Sequence, residues 1–167
     1  MNAERIVKIA QSYVGQREVS GNLGWKDKSF EAKMKATGWA PGHAWCSYFT
    51  ELVWCEALKG TPHVSRFVAL FSPSATATFS NFSGSKEYKT GRTPRPGALA
   101  VWRYGTGWKG HIGIVESVER EAMKTIEGNT NAAGSREGVM VARKRRATAL
   151  GGTGAGLNLI GFVYPPE

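Results

Sequence analysis

Cys46, His111, Glu127 and Asn129 have the types and the chain order that amide-bond cleavage by a thiol requires. Cys46 stands in Trp45-Cys46-Ser47-Tyr48-Phe49, at the head of a breaker-free stretch that reads as helix. A thiol in the first turn of a helix meets unpaired backbone N–H groups and the positive end of the helix dipole. Both favour the thiolate, the form that attacks a carbonyl carbon. His111 opens Gly110-His111-Ile112-Gly113-Ile114-Val115, where flanking glycines leave one side of the imidazole open. From a strand facing that helix it could act as base for the thiol and then as acid for the leaving amine. Glu127 and Asn129 are two apart in Thr125-Ile126-Glu127-Gly128-Asn129-Thr130-Asn131, so in extended chain they share a face. Either could accept the other imidazole N–H, fixing its tautomer and stabilising the imidazolium, whereas Asn131 reads as a turn residue. Each member has a plainer reading: a small core cysteine, a satisfied structural histidine, a polar turn. The joint order of helix thiol, strand imidazole and next-strand carboxylate or amide is what points to chemistry.

The elements that must position these groups are legible in the spacing. Asn2 to Val14 carries Ile6, Ile9, Ala10 and Tyr13 on one stripe and predicts a helix ended by Gly15. A turn-rich loop, Gly21 to Trp25, leads to a short helix from Lys28 to Thr37, which Gly38 stops. The stretch from Trp45 to Leu58 places Cys46, Phe49, Val53 and Ala57 at helical spacing and predicts a core helix closed by Gly60. Val64 to Phe71 reads as one or two helical turns. Ser72-Pro73 reads as a cap and first position for a further helix to Phe82. From Gly97 onward the texture changes to short alternating or β-branched runs separated by glycine. Strands are expected at 98–103, 111–118, 123–127, 139–144 and 159–164. Helices first and antiparallel strands afterwards predict an α+β domain covering residues 1–167.

These residues resemble the CHAP family of cysteine, histidine-dependent amidohydrolases and peptidases, within the papain-like superfamily. The matching pieces are Trp45 to Phe49, Pro96-Gly97 before a strand, Gly110 to Val115, and Ile126-Glu127-Gly128-Asn129-Thr130, with Val14 to Gly24 similar to the start of such domains. The resemblance implies Cys46 as nucleophile, His111 as base, Glu127 orienting His111, and Asn129 supporting it. It also implies the peptide stems of peptidoglycan as substrate, cut at the sugar–stem amide or within the stem or cross-bridge; the basic composition, with neither a leader nor a wall-binding module expected, fits a phage endolysin first and an injected antibacterial effector second. Two departures matter: Ala98 stands where many relatives carry Asp after Pro-Gly, and residues 38–44 lack the acidic cluster with which some relatives bind calcium. No calcium requirement is therefore expected; His43, His63 and His111 fall in no paired-Cys or His-rich spacing typical of zinc, so no metal is expected, and no cofactor is required. The backbone N–H of Cys46 is one candidate oxyanion donor, with His43, Ser47 and Asn22 open for the second. His43, Trp45, Ser47 and Trp108 are candidate substrate contacts, and Trp25 and Trp39 are further candidates for a glycan groove.

Composition bounds the remaining readings. The chain has 167 residues and a formal charge of +9, which favours anionic partners such as envelope polymers. The densest run, Arg143 to Arg146, reads either as an envelope or nucleic-acid patch or as a solvated strand end. No recognition signature accompanies it, so specific nucleic-acid binding is not expected. Cys46 and Cys55 are nine residues apart on one predicted helix, ~13 Å along its axis, which excludes a bridge. The loop Gly151 to Gly156 lacks the Lys-Ser/Thr ending of a phosphate-binding loop. The start of the chain, with Glu4, Arg5 and Lys8 among its apolar residues, does not read as a secretory leader. A monomer made in the cytoplasm and acting on the bacterial wall after release or delivery is the expectation. A papain-like protease or acyltransferase acting on proteins is the second reading, and a non-catalytic basic module binding wall or nucleic acid is the third.

Overall fold

The computed structural model describes residues 1–130 and 138–167; Asn131 lies outside them. Among the described residues five helices precede a single sheet: α1 (Asn2–Ser12), α2 (Lys28–Ala36), α3 (Cys46–Ala57), α4 (Val64–Phe67) and α5 (Ala75–Gly84), with a 3₁₀ turn at Val68–Leu70. The strands are β1 (Thr90–Gly91), β2 (Leu99–Tyr104), β3 (Gly110–Val118), β4 (Ala122–Thr130), β5 (Met140–Ala147) and β6 (Leu157–Val163). They pair antiparallel in the order β1-β6-β2-β3-β4-β5. The α+β architecture expected from the sequence is therefore the one adopted. The two-residue strand β1 was not anticipated, because only its pairing with Val163 and Phe162 defines it.

The helix carrying Cys46 is apolar nearly all round, and such a helix has to be buried on most sides. Its buried residues run from Cys46 through Thr50, then Leu52 to Trp54 and Ala57, a wider surface than the single stripe expected. Accordingly α3 packs on β3 and β4 beneath it and on α1, α2 and α5 around it. Phe49 and Trp45 lie so close to β4 that a Cβ on Gly128 would stand 2.7 Å from the Trp45 ring and 2.8 Å from the Phe49 Cβ. Glycine at 128 is what lets helix and strand approach to that distance.

Outside α3, a Lys33, Tyr13 and Glu56 cluster ties three helices together. The Tyr13 hydroxyl donates to Glu56 at 2.7 Å, and Lys33 reaches both Tyr13 at 2.8 Å and Glu56 at 2.9 Å. The cap of α5 differs from the expected one. Ser74, not Ser72, accepts the Ala77 N–H, so Pro73 precedes the cap instead of opening the helix. Ser72 uses its carbonyl to hold Ser47 and Thr78.

Candidate active site

His111 sits at the start of β3, directly across from Trp102 of β2. Their rings lie 5.9 Å apart, so His111 shares the sheet face whose apolar members include Ala100, Trp102, Val115 and Met123. Its neighbours Ile112 and Ile114 point the other way, into the core shared with the helices. The His111 Nε2 is 2.8 Å from a Glu127 carboxylate oxygen, with both side chains essentially excluded from solvent. Gly113, two residues along on the same face, makes this contact possible. A Cβ there would stand 2.6 Å from the Glu127 Cγ, so the carboxylate leans across the space a side chain would fill.

With Nε2 committed to Glu127, Nδ1 is the free position of the ring. It is buried with no aligned hydrogen-bond partner. The Cys46 thiol nevertheless lies near enough to interact with the ring: close contact without the alignment of a formed hydrogen bond accounts for both observations. Burial alone would strip the imidazolium of its proton. Cys46 and Glu127 outweigh that penalty and hold the ring's pKa up, to about 9.

Glu127 is itself held from three sides. Thr125 donates to one oxygen at 2.6 Å, and Arg146 places a two-pronged guanidinium on both, Nε at 2.8 Å and Nη2 at 2.6 Å. Burial opposes ionisation, but the Arg146 fork and the His111 ring win, and the carboxyl is held well below the usual carboxylate range. Arg146 was not singled out by sequence. It belongs to the run from Arg143 to Arg146, and the structure divides that run between two faces. Arg143 pairs outward with Glu116 and Arg145 with Glu119, both at 2.9 Å, while Arg146 turns in under the sheet. A strand end, not a free polyanion patch, is what the sequence wrote there.

A cleft of about 120 Å³ opens beside Cys46, lined also by Ala44, Pro73, Ser74, Trp108, Lys109 and Asn129. Asn129 reaches it differently from the way alternation predicts. Its φ is +53°, and the β4–β5 register shifts between Glu127 and Thr130, so an irregularity and not simple extended chain aims the side chain. A larger hollow of about 450 Å³, lined by His63, Arg95 and Tyr164 among others, includes none of these residues.

The expected substrate contacts separate. Trp108 is 73% exposed at the rim of the cleft, its carbonyl fixed by the Thr76 hydroxyl at 2.6 Å. Trp45 is wholly buried between Trp25 and Phe49 and donates its indole N–H to Glu18 at 2.7 Å. Ser47 is buried too, its hydroxyl spent on the Ser72 carbonyl. Both are corrected to structural roles: the step of about 100° between successive helical residues turns them off the side from which Cys46 meets the cleft. Trp25 and Trp39 are likewise core, so no four-tryptophan groove exists. His43 stays exposed, stacked on Tyr48, and does not line the cleft.

Helix-borne thiol, strand-borne imidazole and next-strand carboxylate on an α+β scaffold define a papain-like fold. The chain belongs to the CHAP family, whose domain model matches residues 18–129. Among solved structures it is similar to a wild type endolysin, LysIME-EF1, at 15% identity and a TM-score of 0.55, covering 98% of this chain and 64% of that one. A second structure, Ly7917, gives 15% identity and a TM-score of 0.49, covering 98% and 62%. The chain thus spans under two thirds of the length of either. No curated protein matches it.

Proposed function

We propose that this chain is a peptidoglycan hydrolase of the endolysin kind, which cuts an amide of the peptide stem through Cys46. The observation carrying this reading is the buried His111–Glu127 pair with its free Nδ1 on the Cys46 side, opening on a cleft that includes Cys46. Family membership and the endolysin fold likeness support the wall as substrate.

In the first step the Cys46 thiolate, whose proton His111 holds, attacks the carbonyl carbon through Sγ and the carbonyl π electrons move to oxygen. The N-terminus of α3 suits that developing charge. Unlike α2 and α5, capped by Asp27 and Ser74, it has no side-chain cap, and its first N–H groups have no helical acceptor. The oxygen's electrons then re-form the carbonyl as the C–N bond breaks, and His111 delivers its proton to the departing nitrogen, leaving a thioacyl group on Cys46. Water attacks that carbon, gives a proton to His111, and the thiolate departs with the S–C electrons. Glu127 keeps Nε2–H in place throughout, and Asn129 lines the cleft beside the sulfur. No metal or cofactor enters these steps, and a monomer suffices, acting on the wall after release or delivery.

The test is mass spectrometry of fragments released from purified sacculi, with casein in parallel. New termini at a stem amide, lost by several orders of magnitude in Cys46→Ala, are expected. Casein cleavage without sacculus fragments would transfer the site to protein substrates. Sacculus binding untouched by Cys46→Ala and without any fragments would leave a binding module.

A further inference from the structure

Arg146 is nearly covered, its side chain 17% exposed, and it makes more contacts than a surface arginine needs. Its fork grips both Glu127 oxygens, and its guanidinium carbon lies 5.3 Å over the Trp102 ring. Trp102 in turn lies against His111. The β4–β5 register pairs Arg146 with Met123, on the face shared with Thr125 and Glu127. Charges therefore alternate along one line: guanidinium, carboxylate, imidazolium, sulfur.

We infer that Arg146 is a positioning residue whose fixed charge completes this series and thereby sets the pH window in which Cys46 is nucleophilic. The inference rests on Cys46 and His111 being the reactive pair, not on the wall being the substrate. With Arg146 present, ionising the thiol brings the buried series from one net positive charge to zero. Without it, the same ionisation takes the series from zero to one net negative charge, which a poorly solvated site resists. Losing the His111 proton likewise becomes harder, because it would leave two net negative charges where the intact series has one. Both limbs of the window should move to higher pH. Other charges facing the series are Lys144, two residues from Arg146 on β5, and Lys109 at the cleft. The Glu127 carboxylate is bonded by His111, Thr125 and Arg146.

Alkylation of Cys46 by iodoacetamide needs no wall substrate and reports the acid limb directly, because displacement of iodide by the thiolate needs no proton from His111. Its rate is followed against pH in the full chain by peptide mapping, which separates it from Cys55, whose thiol burial pushes up to about 12. Arg146→Met should move that limb up by about one pH unit, slowing alkylation along it roughly tenfold. Arg146→Lys, which keeps the charge and loses the fork, should hold it within about half a unit. Arg143→Met, removing the same charge from the other face of β5, should match the parent. If Arg146→Met does not fold by circular dichroism, Arg146→Gln replaces it with the same expected shift. An unmoved acid limb in the charge-removing variant, or an Arg146→Lys shift as large, would overturn the role given to the charge. If parent Cys46 reacts no faster than an unfolded cysteine peptide at any pH, the reactive pair itself is refuted instead.

Discussion

At the scale of single residues, the proton on His111 decides how the site works. Because the ring's pKa is raised to about 9, the imidazole is already charged at neutral pH, so the proton needed by the leaving amine is in place before attack. Sacculus clearance should therefore hold through neutral pH and fall along an alkaline limb near 9. The same raised value stabilises the fold. That contribution is complete below the ordinary histidine value and disappears as pH rises through about 9, so the melting temperature should decline over that interval. Glu127→Gln keeps the shape but removes the charge that both His111 and Arg146 require. It should cost at least about a hundredfold in turnover and draw the alkaline limb to lower pH, read from a pH–rate profile. Cys46, His111 and Glu127 were legible in sequence because each sits in a short local pattern of its own. Arg146 was not, since its partner is fixed by which residue of β5 lies across from Met123, a register that no local pattern states. Trp45 and Ser47 misled for a related reason: adjacency to Cys46 in the chain is not adjacency to the cleft on a helix.

At the scale of elements, the glycines of β3 and β4 and one carboxyl of α3 carry testable consequences. Gly113→Ala puts a methyl where the Glu127 Cγ lies, 2.6 Å away, so the carboxylate must withdraw from His111. Turnover on sacculi should fall at least tenfold with the fold retained by circular dichroism, whereas alanine at Gly84, with open space around it and an ordinary backbone, should behave as the parent in turnover. Glu51 is desolvated on α3, and burial pushes its carboxyl up to about 7. The sign is that of a group whose stability is complete below the ordinary glutamate value and lost as pH rises through about 7. Glu51→Gln should accordingly raise the melting temperature at pH 8 by about 2–4 °C, after allowing for partial solvent screening, and leave it unchanged at pH 4. The element boundaries read from sequence lie within a few residues of those observed because breakers and apolar spacing are local properties. The Ser74 cap and the left-handed Asn129 escaped, since each depends on where a neighbouring element arrives.

At the scale of the molecule, the formal charge of +9 has to be weighed against where the cations go. The run that looked most like a docking patch is internally neutralised, with Arg143 on Glu116, Arg145 and Lys124 on Glu119, and Arg146 on Glu127. What remains is a diffuse field from scattered surface lysines and arginines, and a diffuse field has a distinct signature. It is screened over roughly 10 Å at 0.1 M salt, and no single residue dominates it. Binding of the Cys46→Ala variant to purified sacculi, measured by co-sedimentation, should weaken steadily as salt rises from about 50 to about 200 mM. Removing Arg143 and Arg145 together should change it by less than about twofold at any salt, because each already answers a carboxylate. A large loss from that double variant, with the salt dependence abolished, would mean that β5 is a local wall-binding strip after all. A small loss with the salt dependence intact would place attraction in the whole surface and leave selectivity to the cleft beside Cys46 and to Trp108 at its rim.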